Sequence, residues 1–294
     1  MAPLIGGAER RLVEIESADA GRLRLQVAEL GEGPPVLMLH GWPQHAGCWR
    51  YVAPLLAQRH RVICPDLRGF GGSDAPGRGY DPETFAADAV ALLDALELER
   101  VFLVGHDWGG FAGFMACFSH PDRIQAFVAL NTPVPWVQPS PRLVMAAWRS
   151  WYALLMAAPG LGRYILRQQP GLMAKGIVRD VVHTLFTEQD ARDYAEQLAR
   201  PHSARATTLL YRYYLRALTQ PGRWAGHRLK VPTRLLFGAR DGALSPLTVR
   251  GHEGHADDMA VELVPDSGHF IQEETPELVA ERALELFDRV RVPG

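Results

Sequence analysis

Two hydrophobic patterns follow one another along the first half of the chain. Around Ala20 and Gly21, apolar and polar residues alternate in RLVEIES and RLRLQVAEL, which predicts an antiparallel β-hairpin. The later apolar runs are nearly continuous, and helix-like stretches such as residues 83–97 separate them. These runs are PVLMLHG, RVICPDLRG, VFLVGHD and IQAFVALNTP. Strands buried on both faces have this pattern, because helices cover both sides of a parallel sheet.

The middle of the chain departs from this pattern. Residues 134–226 are rich in Trp, Tyr, Leu, Met and Arg at helical spacing, and Pro-Gly pairs interrupt them. The strand pattern then returns with TRLLFGARDG and MAVELVPDSGH, and an amphipathic helix follows in PELVAERALELFDRV. We therefore expect an α/β core at 1–133 and 227–294, with a helical cap at 134–226 over the carboxyl edge of the sheet.

Composition narrows the classes of partner. The 294 residues include 31 basic and 33 acidic side chains without a block of like charge, so neither nucleic acid nor a membrane surface is expected as a partner. No window is apolar over about 20 residues, and the start lacks the pattern of a secretory signal. We expect a soluble, cytoplasmic protein. A chain of this length can bury a substantial core, so we expect a monomer or homodimer.

Candidate chemistry stands where the strand-like runs end. His40-Gly41-Trp42-Pro43 follows one run, and Gly105-His106-Asp107-Trp108-Gly109 follows another. Asp241 and His269 follow two later runs. Carboxyl ends of parallel strands meet at one edge of a sheet, so these residues are predicted to lie together. Each could be a turn or capping residue taken alone, but three suitable types at three strand ends favour a catalytic site.

The segment around Asp107 resembles the nucleophile elbow of the α/β-hydrolase fold, with Asp in place of Ser. The order Asp107, Asp241, His269 is also that fold's order of nucleophile, acid and base, and the resemblance covers nearly the whole chain. It implies a mostly parallel eight-stranded sheet flanked by helices, with the cap inserted between strands 6 and 7. It also implies an oxyanion hole made by the backbone N–H groups of Trp42 and Trp108.

An aspartate nucleophile restricts the reaction. A carboxylate is ionised at pH 7 and attacks saturated carbon without a base, whereas attack on an acyl carbon would give a mixed anhydride. The product of the first attack is an ordinary ester. His269 can then activate the water that hydrolyses this ester, while Asp241 fixes the imidazole tautomer. The substrate is therefore expected to be an epoxide or an alkyl halide.

Two tyrosines of the predicted cap favour the epoxide. The chain resembles epoxide hydrolases of this fold in its HGWP, GHDWGG and LNTP segments, and Tyr152 stands seven residues before Pro159-Gly160, as in those enzymes. Tyr211 precedes Arg212, again as in that family. The resemblance implies that Tyr152 and Tyr211 protonate the epoxide oxygen. Helical register leaves Tyr214 open as the second donor, and aromatic packing is the non-catalytic alternative.

Other functions remain as alternatives. Haloalkane dehalogenases share the Asp-His-Asp core and a Trp after the nucleophile, but Trp42 stands where they usually carry Asn or Glu. Fluoroacetate dehalogenases typically carry Arg where Trp108 stands. A non-catalytic binding protein of the same fold is disfavoured, because all three catalytic residue types are present.

The expected ligand is a small hydrophobic epoxide. Neither GHEGH at 251–255 nor DLRGFGGSD at 66–74 completes a metal or phosphate motif, so we expect no cofactor and no metal. The residues predicted to line the substrate pocket are His40, Trp42, Pro43, Trp108, Trp136, Trp148, Leu155, Met156, Tyr214 and Phe270.

Overall fold

One mixed sheet organises the molecule. The structure is a computed structural model that describes residues 4–137, 140–146, 151–182 and 185–290. Eight strands lie in the order β1-β2-β4-β3-β5-β6-β7-β8. They are β1 (Glu9–Ser17), β2 (Gly21–Leu30), β3 (Pro35–Leu39), β4 (Arg61–Pro65), β5 (Val101–His106), β6 (Ile124–Leu130), β7 (Thr233–Gly238) and β8 (Met259–Val264).

The strand pairing agrees with both sequence patterns. β1 and β2 form the predicted antiparallel hairpin, with Ser17 opposite Gly21. β2 also pairs antiparallel with β4, and the remaining neighbours are parallel. The predicted eight-stranded, mostly parallel α/β-hydrolase sheet is confirmed.

The near-continuous apolar runs fill two separate layers of core. In β3, Leu37 and Leu39 face one layer, whereas Val36 and Met38 face the other. Successive side chains of a strand point to opposite faces, so a strand covered on both sides needs apolar residues at every position. Helices supply both covers, and Phe287 of the last helix stacks on Phe102 of β5 at 4.3 Å between ring centroids.

Helices fill the connections between strands. In the described part of the chain they are α1 (Val52–Leu56), α2 (Pro82–Ala95), α3 (Asp107–Ser119), α4 (Pro141–Ala146), α5 (Tyr152–Ala157), α6 (Leu161–Gln168), α7 (Pro170–Val178), α8 (Glu188–Leu198), α9 (Pro201–Ala217), α10 (Ile271–Glu274) and α11 (Pro276–Val290). Side-chain caps explain where two of these helices start. Asp81 accepts the Thr84 N–H ahead of Pro82, and Thr187 forms a capping box with Asp190.

Six of the described helices, α4 to α9, lie between β6 and β7. We call the segment from α4 to α9, including the connections between these helices, the helical insertion. It meets the catalytic edge of the sheet through specific contacts: the indole N–H of Trp42 donates to Oγ1 of Thr207 at 3.2 Å, and the His269 N–H donates to the Asp180 carbonyl at 3.1 Å. Across the ranges that the structure describes, none of the helices combines the length and apolar character that a membrane span requires.

Candidate active site

Asp107 occupies a strained turn between β5 and α3. Its backbone φ is 49°, in the left-handed region that residues other than glycine rarely adopt. The flanking glycines explain why the turn closes. An ideal Cβ on Gly105 would lie 2.6 Å from the Gly109 carbonyl oxygen, and one on Gly109 would lie 2.3 Å from the Leu39 carbonyl oxygen. The predicted elbow therefore forms, and it holds Asp107 at the carboxyl edge of the sheet.

The Asp107 carboxylate meets both backbone donors that the sequence predicts. The Trp42 N–H donates to Oδ2 at 3.0 Å, and the Trp108 N–H also bonds this carboxylate. Burial raises the pKa of Asp107 to about 6, while the His269 charge and these two N–H groups oppose the rise. The group is therefore mainly ionised at neutral pH, and the same donors can hold an oxyanion formed on it.

His269 and Asp241 form a buried pair. Nδ1 of His269 lies 2.8 Å from Oδ2 of Asp241, and Oδ1 of Asp241 accepts the Ala243 and Leu244 N–H groups at 2.8 Å each. Burial alone would lower the pKa of His269, but the carboxylates of Asp241 and Asp107 raise it to about 9. Burial would raise the pKa of Asp241, yet His269 keeps it below its usual value. The pair therefore orients the imidazole and leaves Nε2 for a water molecule.

Asn131 is a supporting residue to which sequence reasoning gave no role. Its Nδ2 donates to Asp241 Oδ2 at 2.7 Å and to the Gly268 carbonyl at 3.1 Å, and its Oδ1 accepts the Gly238 N–H at 3.2 Å. It adopts a positive φ of 40° at the end of β6. The available signal was the lone amide in the LNTP segment, where a polar side chain follows a buried strand.

Tyr152 and Tyr211 lie together beside Asp107. Their hydroxyl groups influence each other's pKa, and their ring centroids are 5.7 Å apart. Trp42 packs on both, stacked on Tyr152 at 5.9 Å and edge-on to Tyr211 at 5.1 Å. Burial and the Asp107 charge raise the pKa of both phenols, so both remain protonated near neutral pH. This cluster can donate protons close to the nucleophile.

The neighbouring tyrosines divide as helical register predicts. The Tyr214 ring lies 6.3 Å from Tyr211 and 6.2 Å from Trp108, so it borders the same aromatic cluster. The Tyr213 ring also lies 6.3 Å from Trp108, but its hydroxyl donates to Oε2 of Glu83 at 3.2 Å. Tyr214 therefore stays open as a second donor, whereas Tyr213 is engaged with α2.

His40 and Trp136, which were both predicted to line the pocket, are held by contacts within the core. The Leu67 N–H donates to Nε2 of His40 at 2.9 Å, and Nδ1 of His40 lies 3.0 Å from the Gly41 carbonyl oxygen. Both ring nitrogens are thus engaged by the backbone. Trp136 is fully buried, packs on Phe114 and Phe118, and donates its indole N–H to the His227 carbonyl. Its ring therefore packs in the core beside α3, and a pocket-lining role for Trp136 stays a prediction.

The remaining residues predicted to line the pocket lie at different depths in the structure or outside its described part. Trp148 lies outside the described residues. Phe270 is buried and packs on His269, and Met156 is 2% exposed within the core. Leu155 is half-buried, and Pro43 is buried beside Trp42. A pocket-lining role for Pro43, Leu155, Met156 and Phe270 stays a prediction.

Metal ligation is a separate question. Within the ranges that the structure describes, His, Cys, Asp and Glu do not gather in any group of three or more that could hold a metal ion. The chemistry available from the assembled residues is nucleophilic attack by a carboxylate, proton donation by phenols, and base catalysis by an imidazole.

Several known proteins are similar to this chain in sequence or in fold. The model of the α/β-hydrolase fold family matches residues 34–276. Epoxide hydrolase A of Mycobacterium tuberculosis is 30% identical over 324 residues, covering 96% of this chain and 98% of its own. A fluoroacetate dehalogenase of Burkholderia is 39% identical over 160 residues, about half of each chain. The structure of epoxide hydrolase CorEH without ligand superposes with a TM-score of 0.82 at 26% identity, covering 96% of this chain and 100% of that one.

Proposed function

Because this chain belongs to the α/β-hydrolase fold family, and within it to the epoxide-hydrolase group, we propose that it converts a small hydrophobic epoxide and water into a vicinal diol. The observation that carries this proposal is the pair of adjacent phenols, Tyr152 and Tyr211, beside the Asp107 carboxylate. An epoxide oxygen leaves as an alkoxide and needs a proton, which a phenol can supply.

Ring opening is the first step of the proposed reaction. Asp107 forms a C–O bond to one epoxide carbon, the ring C–O bond breaks, and a proton passes from Tyr152 or Tyr211 to the ring oxygen. The product is a hydroxyalkyl ester of Asp107 and a tyrosinate. Since the carboxylate becomes neutral, His269 loses one of the charges that raise its pKa. Ester formation therefore favours the neutral imidazole that the next step needs.

Ester hydrolysis is the second step. His269 takes a proton from water, and the resulting hydroxide adds to the ester carbonyl of Asp107. The N–H groups of Trp42 and Trp108, which bond the free carboxylate, stabilise the oxyanion. Collapse releases the diol and the carboxylate, and the proton from water returns to the tyrosinate. Asp241 stabilises the imidazolium throughout this step.

A dehalogenase is the second candidate, because a fluoroacetate dehalogenase is among the relatives. Halide leaves as a finished anion and needs weak N–H donors. The indole N–H of Trp42 is already donated to Thr207, which makes it a poor halide ligand. The two phenols beside Asp107 therefore favour oxygen as the leaving atom.

Single-turnover hydrolysis in heavy-oxygen water tests the proposal. A terminal aryl epoxide should be consumed, its first diol should carry unlabelled oxygen from Asp107, and the label should appear in the Asp107 carboxyl group. A dibromoalkane assayed in parallel separates the alternatives. Consumption of the bromide alone would establish the dehalogenase, and consumption of neither would favour a binding protein.

Trapping the intermediate tests the covalent route separately. His269→Gln should retain ring opening and lose ester hydrolysis, so mass spectrometry should find an adduct on the peptide that contains Asp107. An unmodified peptide from a folded variant that binds the epoxide would exclude the ester mechanism.

A further inference from the structure

Glu274 closes a ring of hydrogen bonds around the turn that carries His269. Its Oε1 accepts the Phe270 N–H at 3.0 Å, and its Oε2 accepts the Gly268 N–H at 3.1 Å. The donors are the backbone neighbours on either side of the proposed base. Glu274 is 1% exposed and ends α10. A buried carboxylate that accepts both of these N–H groups fixes the backbone conformation of the turn.

The same carboxylate reaches the helical insertion. The Val182 N–H donates to Oε2 of Glu274 at 2.9 Å, and the His269 N–H donates to the Asp180 carbonyl at 3.1 Å. All three N–H groups of the turn, from Gly268 to Phe270, are therefore held, two by Glu274 and one by the insertion. We propose that Glu274 is a positioning residue that sets the reach of His269 toward the ester and links it to the insertion at Val182.

We expect the loss of Glu274 to slow only one of the two reaction steps. This expectation rests on the proposed function. Ring opening uses Asp107, Tyr152 and Tyr211, whereas the hydrogen bonds of Glu274 described above go to the backbone of Gly268, Phe270 and Val182. Ester hydrolysis depends on the placement of the imidazole relative to Asp107. A shifted His269 turn should therefore slow hydrolysis and spare ring opening.

Glu274→Gln is the direct test. The carboxylate accepts three N–H groups with two oxygens, whereas the amide keeps a single acceptor oxygen and adds an NH2 donor. Whichever way the amide turns, its NH2 faces at least one of those N–H groups. We expect kcat to fall roughly tenfold to hundredfold. We also expect kcat/KM to stay within about threefold, since it reports ring opening when that step is irreversible. Ester should accumulate in quenched reactions.

Glu273→Gln is the matched control. Glu273 is equally buried, but its carboxylate accepts from the side chains of Gln44, Arg50 and Tyr194. This variant should lower the melting temperature without accumulating ester. The exposed Glu277→Gln should change neither quantity. Glu274→Asp, which keeps charge and both oxygens at a shorter reach, should show a milder form of the same split and serves if Glu274→Gln does not fold.

The outcomes are distinguishable from those of the proposed function. Equal losses in kcat and kcat/KM, an unchanged kcat, or ester accumulation in Glu273→Gln as well would overturn the role of Glu274. If wild type opens a dibromoalkane but no epoxide, the substrate proposal fails. The Glu274 test then proceeds with the bromide, whose ester is hydrolysed by the same step. If neither is consumed, both proposals fall.

Discussion

At the scale of single residues, the phenol pair gives the sharpest prediction. Tyr152→Phe and Tyr211→Phe should each slow ring opening, by roughly 10²-fold, because each removes a proton donor near the departing oxygen. Stopped-flow tryptophan fluorescence can follow this step, since Trp42 packs on both rings. Tyr213→Phe is the matched control, as its hydroxyl bonds Glu83. A normal rate in Tyr211→Phe beside a slow Tyr214→Phe would transfer the role to Tyr214.

Asp107 and His269 must each lose a proton to act, so the rates of the two reaction steps should depend on pH through different groups. Asp107 must be ionised to attack, and its pKa is raised to about 6, so kcat/KM should fall about tenfold per pH unit below that value. His269 must be neutral to act as a base. Its pKa of about 9 in the free protein should drop once the ester forms, so the hydrolysis rate should rise with pH to a limit below 9. Ring opening that is constant from pH 7 to pH 5 would contradict the first assignment.

Sequence reasoning succeeded at residues whose constraint is local. Glycines two positions on either side of Asp107 predict the tight turn, and the structure shows why a Cβ cannot be accommodated there. The sequence says less about the direction that a side chain takes. Trp136 follows β6 closely, but no local pattern shows that its ring packs on Phe114 of α3. Asn131 received no role because its partners, Asp241 and Gly268, are more than a hundred positions away in the sequence.

At the scale of elements, a buried ionic group fastens α8 to α10. Arg50 pairs with Glu273 of α10 and with Asp190 of α8, the latter at 3.1 Å. Burial raises the pKa of Glu273 to about 8 although Arg50 opposes the rise. Arg50→Ala removes a charged hydrogen-bond partner from this buried acid, so the free energy of unfolding should fall by about 1–3 kcal/mol in urea titrations. The comparison is Arg192→Ala, whose pair with Glu188 is solvent-exposed and should contribute little. Equal losses in both variants would refute the role of burial.

The strands were more predictable than the arrangement of the inserted helices. The inner strands of the parallel part carry apolar residues on both faces, as in Val36 to Leu39. Helical spacing predicted that residues 134–226 contain helices, but amphipathic pattern alone does not say which core residue each helix meets. That information resides in single contacts such as Trp42 with Thr207, which no periodicity encodes.

At the scale of the whole molecule, the three cysteines report on the integrity of the core. Cys48, Cys64 and Cys117 are free and at most 1% exposed, and burial raises the pKa of each thiol. A chromogenic disulfide reagent should therefore release no thiolate from the native protein and three equivalents per chain in denaturant. Fast reaction of the native protein, or fewer than three equivalents after unfolding, would contradict this packing.

The double attachment of the His269 turn has a consequence for protein engineering. Because Asp180 bonds that turn directly and Val182 bonds Glu274, which holds it, we expect that the insertion cannot simply be exchanged for the corresponding segment of a relative. A chimera that joins foreign helices to this sheet should keep the junction at 180–182 native, together with Glu274. A graft that crosses this junction alters the geometry of the base even when every catalytic side chain is retained.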